Sequence, residues 1–260
     1  MDLPLSINLV KKEFNAKYSK SLAGLVWFFL EPLFQLTIFA VVFTLFLGMK
    51  VEGEYGVWSY SLYLIPGIIL WNFLVDVITR LSHALVKNKE FLKKTTISTS
   101  TIFLAEIIYS LMVSLIYLVL FIFLYFTISF FLTDTFPSLF TLVPQVFYSY
   151  LLAILLGASV GIFFSFITPF YNQLTLTVQV IMNLMFWFIP IVYTADKVPE
   201  LFINIVLSNP VYFPIQSFQS ITTANAQDSN IVSYITCLLI SSLLCLFMYK
   251  RLNLAIKEVL

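Results

Sequence analysis

Residues 102–132 form an apolar run with a single charged side chain, Glu106, one turn inside its start. A helix needs about 20 apolar residues to cross a hydrocarbon core, so this run implies tilt or an extension past the bilayer. Further runs occur at about 25–47, 62–78, 139–167, 174–193 and 231–249. In lipid, backbone N–H and C=O groups must be satisfied without water, which leaves only helices or a closed barrel. A barrel would alternate in segments of roughly ten residues, and these runs are continuous. The chain is only 10% charged, against about 25% in soluble domains. The expected fold is all-α and polytopic. It has six transmembrane helices in a membrane domain over 25–260, an N-terminal amphipathic helix over 1–24, and short helices between the fifth and sixth spans.

Charge sets the orientation. Residues 80–94 hold five of the fourteen Lys and Arg and the only His. Placing the N-terminus, a loop over 80–100 and the C-terminal tail in the cytoplasm puts twelve Lys and Arg inside and leaves Lys50 and Lys197 outside. By the positive-inside rule both termini are cytoplasmic. In the first segment Leu3, Ile7, Val10, Phe14 and Tyr18 recur on one helical face, and Lys11, Lys12, Asn15 and Lys17 fall away from it. That pattern is an interfacial helix, serving either as an anchor or as a contact for a partner. The segment has no apolar core or small-residue cleavage site, so no cleavable signal is expected.

Some spans carry polar side chains. Asp76 and Arg80 are four apart and expected to pair near the inner boundary, and Gln179 and Asn183 share one face of the fifth span. Gly157 and Gly161, with Ala158 and Ser159, permit close helix contact. Pro199, Asn209-Pro210 and Pro214 break residues 194–230 into one or two short helices, on or dipping into the outer leaflet.

There is no GxxxxGK[ST] loop for a nucleotide phosphate, and no HExxH, CxxC or GxSxG. His83 has no Cys cluster near it, so neither a metal nor a catalytic role is indicated. No cofactor, enzymatic activity or nucleic-acid partner is expected of this chain. Cys237 and Cys245 lie about 12 Å apart along a helix, too far for a disulfide, and read as apolar fillers. Glu31, Asp76 and Glu106 sit toward the cytoplasmic ends of their spans, whereas a secondary carrier places acids near the midplane. Phe163, Phe164, Phe166, Phe186, Trp187 and Tyr193 are candidates to line a conduit, because aromatic faces stack on the CH-rich surfaces of sugars.

Four stretches carry a family likeness. They are Tyr18 through Trp27 with Glu31-Pro32-Leu33; Pro66 through Phe73, leading to Asn88, Phe91-Leu92-Lys93-Lys94; Phe170-Tyr171-Asn172-Gln173 with Phe186 through Tyr193 and Val198-Pro199-Glu200; and Ser208-Asn209-Pro210. In order and spacing they cover nearly the whole chain, which resembles the membrane permease of type-2 ABC exporters. The branch is the one that exports lipid-linked polysaccharides such as O-antigens, capsules and teichoic acids. The chain departs from the family pattern at Asn172-Gln173, where an Arg-Asp pair is common, and at Thr96-Ile97-Ser98, where Phe-Pro is common.

The resemblance implies an inner-membrane homodimer served by two copies of a separate ATPase subunit, on which ATP and Mg are bound. It implies a lipid-linked glycan as substrate. It places Lys11, Lys12, Lys17, Lys89, Glu90, Phe91, Lys93 and Lys94 in ATPase coupling, and Pro199, Asn209, Pro210, Phe213 and Phe218 in a periplasmic gate. The alternatives are a type-2 ABC permease for a drug or small amphiphile, and an ATP-independent channel or secondary carrier. A membrane-embedded transferase would need a polar catalytic cluster that the sequence does not contain.

Overall fold

The least apolar of the membrane-length helices is the most enclosed. The computed structural model describes residues 2–19, 22–94, 97–171, 173–223 and 229–259, without the side chains of Leu22, Lys94 and 252–259. Among the described residues there are ten α-helices and no strand. They are α1 Leu3–Lys17, α2 Leu22–Ala40, α3 Ser59–Lys87, α4 Lys89–Lys94, α5 Thr99–Thr133, α6 Leu139–Ile167, α7 Leu174–Trp187, α8 Glu200–Leu207, α9 Tyr212–Gln219 and α10 Ile231–Val259. Among the described residues five helical stretches are long and apolar enough to cross a membrane: Ala23–Phe46, Gly56–Lys87, Thr99–Thr133, Leu139–Phe170 and Ile231–Arg251.

The most apolar of these, around α5, has a mean hydropathy of 2.7 and only 22% of its apolar stretch buried; around α3 the values are 1.8 and 78%. A lipid-facing helix has to be apolar wherever it meets hydrocarbon, whereas a helix enclosed by others can carry polar groups. α3 is that enclosed helix, with α5, α6, α7 and α9 packed around it. α6 approaches it along the small-residue stripe. A Cβ on Gly161 would lie 2.7 Å from Leu81 Cβ and 3.2 Å from the Ile78 backbone. The GxxxG therefore serves a contact inside this chain. The next face of α6 turns to α10, where Ser159 and Ser241 hydroxyls are 2.7 Å apart. Cys237 and Cys245 on α10 are free.

Three boundaries differ from expectation. α3 continues to Lys87, and α4 occupies Lys89–Lys94, so most of the stretch expected as a loop from residue 80 is helical. The helix can continue because Arg80 and Lys87 find acidic partners. α2 passes into a π-helical turn over Val41–Phe46, which the apolar pattern does not mark.

α7 stops at Trp187 rather than near residue 193 and has 14 residues. That is about 21 Å of rise, against a core of about 30 Å. Pro190 disfavours helix just before it and supplies no N–H. Residues 188–194 then run without helix, and 189–192 of them pass through the interior, with Ile189 and Ile191 at 0% exposure. Two α3 tyrosines satisfy their carbonyls: Tyr60 donates to Val192 O, and Tyr63 lies 3.0 Å from Pro190 O and 3.1 Å from Tyr193 O. Irregular backbone at membrane depth is tolerated when buried in protein in this way.

Candidate functional site

At the basic end, α1 is stitched to the start of α5. Asp2 N donates to Thr101 Oγ1 at 3.2 Å, and Ser6 Oγ donates to Thr101 O at 2.9 Å. Ser6, Val10 and Tyr18 are buried while Leu3 and Ile7 are exposed, so the docked face is rotated from the predicted apolar stripe. The cause is Glu13, which the stripe omitted. It accepts from Arg80 at 2.6 Å and from Lys87 at 2.7 Å. Glu106 of α5 meets the same two bases, 2.6 Å from Arg80 Nη2 and 2.9 Å from Lys87 Nζ. Two acids and two bases from three helices thus form one cross-paired cluster.

Burial opposes ionisation of Glu13. The hydrogen bonds from Lys87 and Arg80 outweigh it and hold its carboxyl below the usual range. The Arg80 guanidinium also lies 3.9 Å above the Tyr109 ring. The expected Asp76–Arg80 pair gives way to this arrangement. Arg80 turns to Glu13 and Glu106, while Asp76 accepts from Ser110 at 2.7 Å.

The residues assigned to coupling fall on two adjoining elements. Lys12 Nζ sits 4.6 Å over the Phe91 ring and so joins α1 to α4. Leu92 is buried and anchors α4, leaving Lys89, Glu90 and Lys93 exposed; on α1, Lys11, Lys12 and Lys17 are exposed. The Lys94 side chain, Thr96 and Asn172 lie outside the described residues. Leu9, Glu13, Lys87 and Phe91 border a cavity of about 250 Å³ between the two elements. His83 Nδ1 lies 3.5 Å from Thr175 Oγ1 at this same end.

At the opposite end the two expected short helices part company. α8 begins after Pro199 and exposes Leu201, Phe202 and Ile205. α9 is not on the surface but inside, against α3 and α6. Its polar groups explain this, because α6 and α3 pair with them. Gln145 Nε2 donates to Ser217 O at 3.0 Å, and Thr222 Oγ1, just past α9, donates to Leu62 O at 2.8 Å. Among the assigned gate residues, Asn209 Oδ1 accepts from Val211 N in the turn through Pro210. Phe213 packs on Tyr234, and Phe218 is sealed against Phe121 and Tyr150. Lys50 and Lys197, the two lysines away from the basic end, border one cavity of about 700 Å³ together with Glu52, Tyr63, Asp196 and Tyr212. A hydrogen bond with Thr194 holds the Asp196 carboxyl below its usual range.

The aromatic conduit candidates do not converge. Phe166 is fully buried between Phe103 and Tyr249. Phe163 packs on its neighbour Phe164, Phe186 lies between Trp71 and Trp187, and Trp187 is exposed. Tyr193 donates to Trp187 O at 3.1 Å. What converges is polar. Glu31 and Gln35 of α2, Asn72 and Asp76 of α3, and Gln179 and Asn183 of α7 line a cavity of about 480 Å³, which Ser110, Ser114 and Tyr117 of α5 complete. A sequence signal for it exists. Each of three apolar runs carries one polar pair spaced four apart, which sets both members on one face.

Residues 6–223 match the family described as ABC-2 type transporter. Two relatives from Klebsiella pneumoniae, both O-antigen export system permease protein RfbA, are each 24% identical to this chain. One aligns over 227 residues, 84% of this chain and 79% of its own length. The other aligns over 268 residues, 98% of this chain and 95% of its own.

Proposed function

The chain belongs to the ABC-2 type transporter family, and from that membership we propose that it is the transmembrane subunit of an ATP-driven exporter of a lipid-linked, O-antigen-like polysaccharide. It acts as a homodimer in the inner membrane with two copies of a separate ATPase. The observation that carries the substrate class is the likeness to two O-antigen export permeases, one of them over 98% of the chain. The charge distribution supports six crossings, with α7 and residues 188–194 together making the fifth. The positive-inside rule then puts α1, α4 and the end of α10 in the cytoplasm.

In this reading α1 and α4 receive the ATPase stroke through Lys11, Lys12, Lys17, Lys89, Glu90, Phe91, Lys93 and Lys94. The Glu13–Arg80–Lys87–Glu106 cluster passes it to α3 and α5. At the far end of α3 the stroke reaches α9 and residues 188–194, and the segment from Pro199 to Phe218 gates the periplasmic exit.

The test is whether an adjacent reading frame encodes a P-loop ATPase, followed by co-expression of that subunit with this chain. The ATPase should co-purify with this chain, and glycan should appear on the outer face only with ATP. Lys93→Glu with Lys94→Glu should lower stimulated ATP hydrolysis while leaving membrane insertion intact. Transport without ATP would establish the carrier alternative. ATP-driven export of small amphiphiles without glycan would establish the drug-permease alternative.

A further inference from the structure

The polar cavity among α2, α3, α5 and α7 has an uneven chemistry. Its charged walls are Glu31 and Asp76, and among the described residues no Lys or Arg lines it. The nearest base in sequence, Arg80, is one turn from Asp76 but committed to Glu13 and Glu106. Some of the walls are paired: Tyr117 donates to Gln35 Oε1 at 2.9 Å, and Ser110 donates to Asp76 Oδ2 at 2.7 Å. Among the described residues, Glu31, Asn72, Gln179 and Asn183 make no side-chain hydrogen bond within the chain.

Polar groups at membrane depth are costly without partners, and their presence there marks a pathway or site. The volume lies within the range of about 300–1,000 Å³ usual for ligand sites. Carboxylates accept from hydroxyls, and amides both donate and accept, so together they suit a group dense in hydroxyls. A phosphate or carboxylate would instead enter a cleft against two carboxylates, where like charges repel.

We propose that this cavity is a cargo subsite that admits neutral, hydroxyl-rich sugar units and rejects anionic ones, with Glu31 and Asp76 setting the sign. This rests on the exporter reading and narrows it from polysaccharides in general to those whose repeat units lack acidic groups. The subsite handles the sugar repeat, and phosphates of a lipid anchor are held outside it.

The experiment places a thiol in the cavity of the full ATPase complex in native membranes. In a Cys237→Ser, Cys245→Ser background, Asn183→Cys is reacted with a trimethylammonium-ethyl and a sulfonato-ethyl methanethiosulfonate. Gln179→Cys is the second reporter should the first misfold. Relative to Asn204→Cys on exposed α8, the cationic reagent should be favoured about tenfold or more. Adding Glu31→Gln and Asp76→Asn should remove that preference. In the reporter chain that keeps both acids, maltohexaose should slow labelling, while hexagalacturonate at the same concentration should not.

Equal rates for the two reagents overturn the charge assignment. No reaction in the intact dimer overturns the proposal in favour of a cavity filled by the second copy. Equal protection by both oligosaccharides, or by neither, overturns the cargo assignment. The reagent ratio needs no transport, so failure of the exporter reading shows separately, as loss of ATP-dependent glycan export.

Discussion

The two ends of α3 are held by opposite means. At the basic end, four full charges from three helices meet at 2.6 to 2.9 Å. At the other end, Tyr60 and Tyr63 offer neutral hydroxyls to the carbonyls of a non-helical strand of chain. An ion cluster tolerates some sliding, because Coulomb attraction falls off slowly with distance. A hydroxyl–carbonyl bond weakens steeply once its angle is lost. The basic end is therefore suited to holding helices that move as bodies, and the opposite end to fixing one irregular backbone path.

The contrast can be broken most directly at Glu106, whose side chain is 5% exposed. Glu106→Ala leaves two bases to share Glu13. Breaking a buried pair costs about 3–5 kcal/mol, so we expect the largest loss of thermal stability in detergent here. Tyr63→Phe removes a donor shared by the Pro190 and Tyr193 carbonyls and should cost about 1–3 kcal/mol. A larger loss for Tyr63→Phe than for Glu106→Ala would reverse the ranking of the two ends. Gly161→Ala tests the packing between them. Its Cβ meets α3 backbone, and overpacking should cost about 1–3 kcal/mol, read as a lowered unfolding temperature. The smallest effect is expected at Lys12→Ala, which removes an exposed cation over Phe91 worth about 0.5–1 kcal/mol. It should loosen α4 in hydrogen exchange without changing global stability.

The ends also differ in acid. The Glu13 carboxyl is held below its usual 4.5. Its contribution is complete above that pH and is lost as pH falls through the lower folded value. A spin label on α1 should report docking at neutral pH and release only below about pH 4.5. A label on α9 should stay unmoved over the same range.

Much of this was legible in the chain. α6 spans Leu139–Ile167, the bounds its apolar run marks, because a helix that crosses the hydrocarbon core is marked by a continuous apolar run. The short helices of the region after residue 194 follow from Pro199, Pro210 and Pro214. The parts that escaped depend on partners distant in sequence. Arg80 reads as a partner for Asp76 four residues away, yet Glu13 lies 67 positions off and Glu106 on another helix. α9 is the more polar of the two short helices, and the groups offered by α3 and α6 are what send it inward. The polar cavity escaped for the same reason, since its three i, i+4 pairs become a site only when the helices assemble.

The charges of Glu13, Arg80, Lys87 and Glu106 sum to zero. A lone charge crossing the bilayer would exchange about 2.3 kcal/mol with every 100 mV of membrane potential. The neutral quartet exchanges nothing when its members move together. Voltage therefore does no net work on the quartet itself, and what moves it as a unit is force applied by contact.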